Sequence, residues 1–291
     1  MSKMKSGIIL PSRVFVPDYD DHTDMLKELK VKNTKANAES LYVCAELFPA
    51  DGDVFSDIDT WSFNLNQPAV PDWFNKEHER ERMVKAVKKW AESRIYVGVD
   101  GLELTAGSNY CLKDCTNVVL SGTVAVKVLS GSTTVNAMNG LATVDSMYDS
   151  SAIITMRDSA SVRVMCDTSS VKTVSDAASI GTMCDNAKVE TISGSVTVNT
   201  MYDFSAVEAM HGSAYVGSMY RSTSVGAMYD STTIKNMRGS AKVGNMYGSS
   251  KVKYMYGSTK IKLMHESASV GVKHDSATAK VFEKYKENKE Y

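Results

Sequence analysis

The chain has 291 residues, with 33 Lys+Arg against 34 Asp+Glu and a hydrophobic fraction of 43%. That balance excludes a wholesale nucleic-acid coat or a polyanion mimic, and the composition suits a folded protein of one or two domains. No apolar run approaches the roughly 18 residues of a membrane span, and Gly7 to Leu10 is too brief for the apolar stretch of a leader.

In chain order, residues 1–100 do not repeat and read as a small α+β domain. Asp24 to Val31 suits a short helix, and Ser40 to Phe48 and Trp61 to Leu65 suit strands. Asp51-Gly52 and Pro68 to Pro71 are turn signals. Lys76 to Arg94 is the clearest helix: Val84, Val87 and Ala91 share a side, Trp90 is nearby, and Asn75 offers an N-cap. Ile95 to Val99 reads as a strand. Residues 101–119 read as a degenerate first coil of a repeat array.

From Leu120 the chain repeats every nine residues, as in MYGSTKIKL, Met255 to Leu263. Position 1 holds Leu120 and Leu129, then mostly Met as far as Met264, and Lys273 breaks the series. Position 7 is β-branched from Val126 to Val270, position 5 is small, and position 3 is mostly Asp or Gly with Ser after it. Asp or Gly followed by Ser is turn chemistry, and the Val- and Thr-rich stretch beyond it suits a short strand. Such a strand cannot bury its apolar side alone but can do so stacked on copies of itself. Cys166 and Cys184, Tyr202 and Tyr220, and Tyr229 and Tyr247 are each 18 apart, which points to two units per coil.

The expected fold is therefore mainly β: a parallel β-helix, or solenoid, over 101–281. It has about nine 18-residue coils, roughly 43 Å long at the ~4.8 Å strand spacing, with Met and Val layers inside. A solenoid end exposes apolar core and open strand edges, so both ends need covers. The helix ending at Arg94 is the expected cap at one end. The charged tail 282–291 is expected to form a capping helix at the other, with Phe282 and Tyr285 turned inward.

Little in the sequence points to catalysis. G-x-S-x-G, H-E-x-x-H, P-loop and G-x-G-x-x-G patterns are missing, so no catalytic residues are assigned. The five histidines are scattered, and His265 and His274, in successive units, fall on opposite edges of the rod, which argues against a shared site. No metal or cofactor is expected either: Cys111 and Cys115 lack a second pair for zinc, and the repeat lacks the paired glycines of calcium-binding nonapeptides. The Asp149, Asp167, Asp185 and Asp203 column reads as Asx-type turn bonding. Five cysteines are not a disulfide framework, so free thiols in a reducing cytoplasm are expected, even for the stacked pair Cys166 and Cys184.

Two surface features remain. Position 2 carries Tyr148, Tyr202, Tyr220 and Tyr256 on one edge and Tyr229 and Tyr247 on the other, and tyrosine is favoured in interfaces. Charge is also polarised. Residues 138–220 carry four Lys/Arg against nine Asp/Glu, and residues 221–281 carry ten against three. The candidate partner-binding set is Tyr202, Tyr220, Tyr229, Tyr247 and Tyr256 with Arg221, Arg238, Lys251 and Lys253.

Units such as MRGSAKVGN resemble the short-repeat β-solenoids called polymer-forming or bactofilin-like. That resemblance covers the rod alone and implies the fold and filament growth by end-to-end contact. This chain departs from those proteins in its 100-residue N-terminal segment and its charged tail, which would block the ends. W-S-F-N-L and P-D-W-F before the rod resemble the layout of uncharacterised phage and prophage proteins, which would place the chain in a host cytoplasm or a virion. The leading expectation is a non-enzymatic structural or interaction protein that holds a protein partner, or a second copy, through the solenoid faces. Carbohydrate binding or processing is the first alternative. Nucleic-acid contact through the basic half is the second, with steep salt dependence as its mark.

Overall fold

A computed structural model of the chain describes residues 4–281, and the expected C-terminal cap with Phe282 and Tyr285 lies outside them. The chain divides into two compact units. One is Met1–Val97 with Ser108–Cys111, and the other is Gly98–Gly107 with Leu112–Tyr291.

The first unit is built on a four-stranded antiparallel sheet. Its strands are β1 (Lys5–Ile9), β2 (Val14–Phe15), β3 (Val43–Phe48) and β4 (Ser62–Leu65), in the order β2-β1-β3-β4. The helices are α1 (His22–Glu28), the single turn α2 (Lys35–Ala38) and α3 (Lys76–Ala91). Successive strand residues face opposite sides, so two cores form. Ile9, Val43, Ala45 and Leu47 pack with Met83, Val84 and Val87 of α3 and with Trp61. Ile8, Tyr42 and Cys44 pack with Met25 and Leu26 of α1. Asn75 caps α3 as its sequence position suggests, accepting the His78 N–H at 3.1 Å.

The strand that the sequence hid is β1, which is buried along its whole length. Lys5 and Ser6 disguise it as polar. Lys5 is buried because its Nζ donates to Asp20 Oδ1 at 2.8 Å and to the Tyr19 carbonyl at 3.2 Å, and it sits 4.8 Å from the centre of the Trp90 ring. Gly7 sits in tight packing, since a Cβ there would lie 3.0 Å from the Phe15 carbonyl oxygen and 2.8 Å from the flexible end of Met83.

The second unit is a parallel β-solenoid of about ten coils: the expected nine, plus the degenerate coil before Leu120. Strands alternate between two sheets, so even and odd repeat units form separate faces. One sheet runs unbroken through eleven strands from Glu103–Leu104 to Thr278–Val281. Neighbours in a sheet are 18 residues apart, as in Val144↔Val162, Met147↔Met165, Val207↔Val225 and Met210↔Met228. Two nonapeptides per coil is thus the observed register.

Most five-residue strands, such as Thr134–Met138 and Ser224–Met228, bury their second and fifth residues. These are positions 7 and 1, so each sheet contributes both a Val/Ile column and a Met column to the core. From Met138 to Met264 the methionines of position 1 are buried. The buried residues lie three apart, so the strand does not keep strict alternation. Position 5 adds a third buried column, with Ala142, Ser151, Ala160, Thr232 and Ala241 among its members. Most of its members are Ala, Ser or Thr, and Val124 and Val196 are buried in the same column.

The turn explains position 3. From Gly122 to Asp275 every position-3 residue has positive φ, between 52° and 74°. Gly adopts that conformation without cost, and Asp tolerates it better than most residues. Asp does more than turn. Its carboxylate accepts the backbone N–H of the equivalent residue one coil earlier: Gly131 N–H to Asp149 at 2.8 Å, Asp149 to Asp167 at 3.1 Å, and Gly212 to Asp230 at 2.8 Å. The expected local Asx turn is therefore corrected to a bond between coils. Backbone bonds carry the ladder through the same corner, as in Tyr148 N–H to the Leu129 carbonyl at 2.9 Å.

Candidate interaction edges

Position 2 is the first residue after each strand, and its side chain leaves the solenoid at the corner. Consecutive corners lie on opposite edges, so each edge collects every second unit. One edge carries Tyr148, Cys166, Cys184, Tyr202, Tyr220, Arg238, Tyr256 and His274 in order. The other carries His211, Tyr229, Tyr247 and His265.

The rings on both edges are stacked. His211 and Tyr229 have centroids 4.6 Å apart, Tyr229 and Tyr247 5.1 Å, and Tyr247 and His265 4.6 Å, with planes within 11° of parallel. On the opposite edge Tyr202 and Tyr220 stack at 5.0 Å and Tyr256 and His274 at 4.8 Å. The Arg238 guanidinium lies over Tyr256, 4.8 Å from the ring centre, in cation–π geometry. These spacings are close to the strand spacing of the sheets, so the backbone sets the ring separation.

The structure brings together only part of the expected set. Tyr202, Tyr220, Arg238 and Tyr256 share one edge, and Tyr229 and Tyr247 share the other. Arg221 stands at a left-handed turn position and its guanidinium pairs with Asp203, one coil earlier. Lys251 and Lys253 point outward from the strand Lys251–Met255, on a sheet face and apart from either tyrosine row. Three histidines absent from the expected set belong to these edges. His211, His265 and His274 extend the tyrosine rows, and their place at position 2 was the signal that they do.

Another expectation fails on the same edge. Cys166 and Cys184 are joined by a disulfide, where free thiols were expected. In-register stacking is the reason: it sets the two Cα atoms 4.8 Å apart, inside the range a disulfide spans. Cys44, Cys111 and Cys115 are thiols and buried.

Two of the cavities in the first unit have polar linings. An open groove of about 890 Å³ runs beside α3, lined by Arg13, Arg80, Lys85, Lys88 and Lys89 among others. Part of its charge is used internally, because Lys88 pairs with Asp59 and Arg80 donates to the Asp59 carbonyl. A cavity of about 360 Å³ is lined by His22, Tyr42, Cys44, Asn66 and Gln67. Its polar groups hold the fold: Gln67 accepts the Cys44 N–H at 2.8 Å and donates to the Ala69 carbonyl at 2.7 Å. Burial, reinforced by Glu46, pushes the Cys44 thiol up to about 11. At neutral pH it is protonated, and a thiol is a poor nucleophile.

No protein-family model, curated protein or solved structure matches this chain. No helix among the described residues is long and apolar enough to cross a membrane.

Proposed function

We propose that this chain is a non-enzymatic interaction protein that binds a protein partner along the ring-bearing edges of its solenoid. The observation that carries this reading is the stack His211–Tyr229–Tyr247–His265. Stacking covers both faces of the inner rings and leaves their edges and hydroxyls outward. Sugars and nucleobases dock on open aromatic faces, so this arrangement favours neither alternative ligand. A rigid row of phenol edges that is already ordered suits a protein surface, because little side-chain freedom is lost on contact. In the same proposal the chain is a structural component of phage or mobile-element type, acting in a host cytoplasm or a virion. The motivation there is the layout of its first 100 residues before a solenoid.

The test is capture with quantitative mass spectrometry, using wild type, the double variant Tyr229→Ser/Tyr247→Ser, and Lys251→Glu/Lys253→Glu as baits. One protein retained by wild type and the lysine variant but lost from the tyrosine variant supports the edge reading. Equal recovery on all three baits, with the purified chain a monomer by light scattering, defeats it. Loss from the lysine variant alone, with retention that falls steeply in salt, favours contact with a polyanion through the basic half.

A further inference from the structure

The edge that carries Tyr202 and Tyr220 holds two cysteines on successive coils. Stacking in register points both side chains out of the same corner, with Cα atoms 4.8 Å apart. Asp185 follows Cys184 directly and sits at the left-handed turn, with φ of 52°. That geometry folds its carboxylate back toward the sulfurs. Both Sγ atoms and an Asp185 carboxylate oxygen lie within 4.8 Å of one another. The cysteines are half-buried and Asp185 is exposed, so the group is open to solvent. The carboxylate of Asp185 also bonds to the neighbouring coil. It accepts the Asp167 N–H at 3.3 Å, at the long end of equivalent bonds that run from 2.8 Å through 3.1 and 3.2 Å.

Two thiolates and one carboxylate form a donor set for a borderline-soft divalent cation of the zinc class. Calcium and magnesium prefer oxygen alone. We propose that the reduced Cys166–Cys184 pair and Asp185 form a binding site for such a cation, and that formation of the disulfide closes it. The chemistry balances with a dithiol as reductant. The dithiol supplies two electrons and two protons, the S–S bond breaks to two thiols, and the dithiol closes to its own disulfide. The cation then displaces the two thiol protons, forming two metal–sulfur bonds and one metal–oxygen bond. Thiol–disulfide exchange with an added disulfide runs the sequence backwards: the sulfurs rejoin and the cation leaves.

The test uses the full chain and cobalt(II) as the probe. The expected result is one cobalt per reduced chain, with a thiolate-to-cobalt charge-transfer band that zinc abolishes by displacement. The oxidised chain should show no band. It is an internal control, because in the oxidised chain Cys44, Cys111 and Cys115 are still thiols. Cys166→Ser should lose the band, and Asp185→Asn should weaken binding roughly tenfold or more, since loss of even an outer-shell partner costs that much. Equal cobalt binding by the reduced and oxidised chains would overturn the proposal, as would a band that survives in Cys166→Ser. An unchanged affinity in Asp185→Asn overturns the three-ligand site. If Cys166→Ser does not fold, the comparison of reduced and oxidised wild type decides alone.

Discussion

The two units solve the same problem, burial of a β-sheet, in opposite ways. In the first unit each core residue occurs once and its partners come from distant parts of the chain. Ile9 meets Met83 across more than 70 residues of sequence, and Lys5 is tolerated inside because Asp20 and the Tyr19 carbonyl reach it. In the solenoid each core residue repeats its neighbour of 18 residues earlier, and the same few contacts recur coil after coil. The first unit therefore depends on particular side chains, whereas the second depends on keeping a column apolar, small or turn-forming. All three tryptophans, Trp61, Trp73 and Trp90, fall in the first unit. Tryptophan fluorescence thus reports that unit, and far-UV circular dichroism is dominated by the strands of the other.

Val225→Asp tests the solenoid hardest. Val225 is buried in an apolar column, between Val207 and Val243. An unpaired buried charge should cost about 4 kcal/mol or more. The dichroism midpoint in denaturant should fall while the fluorescence transition holds. An unchanged midpoint would break the position-7 assignment.

Met83→Ala is the mirror experiment. Met83 is fully buried against β1, and truncation should cost about 2–5 kcal/mol. The fluorescence transition should move and the solenoid transition should stay. If both move together in either variant, the units unfold as one and the comparison fails.

Acid sharpens the picture of the first unit. Burial alone would raise the Asp18 carboxyl, but the Arg94 guanidinium and the Trp90 N–H at 3.1 Å outweigh it and hold it below the usual range. A lowered carboxyl contributes stability fully above its unfolded value, near 4, and loses it as pH falls through the lower folded value. Trp90 fluorescence should report that acid transition. Asp18→Asn should abolish it and, because the Asp18 side chain is 40% exposed and the pair is screened by solvent, cost only about 1 kcal/mol at neutral pH.

The smallest effects separate members of one column. The Ser205 hydroxyl donates to the Tyr202 carbonyl at 2.8 Å, whereas the buried Ser250 hydroxyl has no partner among the described residues. Ser205→Ala should cost about 1 kcal/mol, and Ser250→Ala should be neutral or slightly stabilising. Equal losses in denaturant melts would mean that the column is held by size alone.

Much of the solenoid was legible because its code is local and repeated. The period, the two-unit coil and the Met and Val columns all come from spacing, since stacking forces like onto like. Position 3 was legible as a turn, but its carboxylate bonds to the neighbouring coil were hidden, because the sequence does not show which backbone N–H lies opposite. The tyrosine rows were legible as columns. Their histidine extensions were hidden, because a histidine first suggests a shared chemical site, and His265 and His274 stand on opposite edges as members of two different rows.

What the sequence determined by itself is the solenoid, because a nine-residue rule applied eighteen times leaves few other ways to bury its apolar positions. Tertiary structure alone decided β1, whose buried lysine and glycine make sense only beside Asp20 and Met83. It also decided the separation of Arg221, Lys251 and Lys253 from the tyrosine rows, and the joining of Cys166 to Cys184. Each of these depends on which atoms meet across distance in the chain, and a linear pattern carries that information only where it repeats.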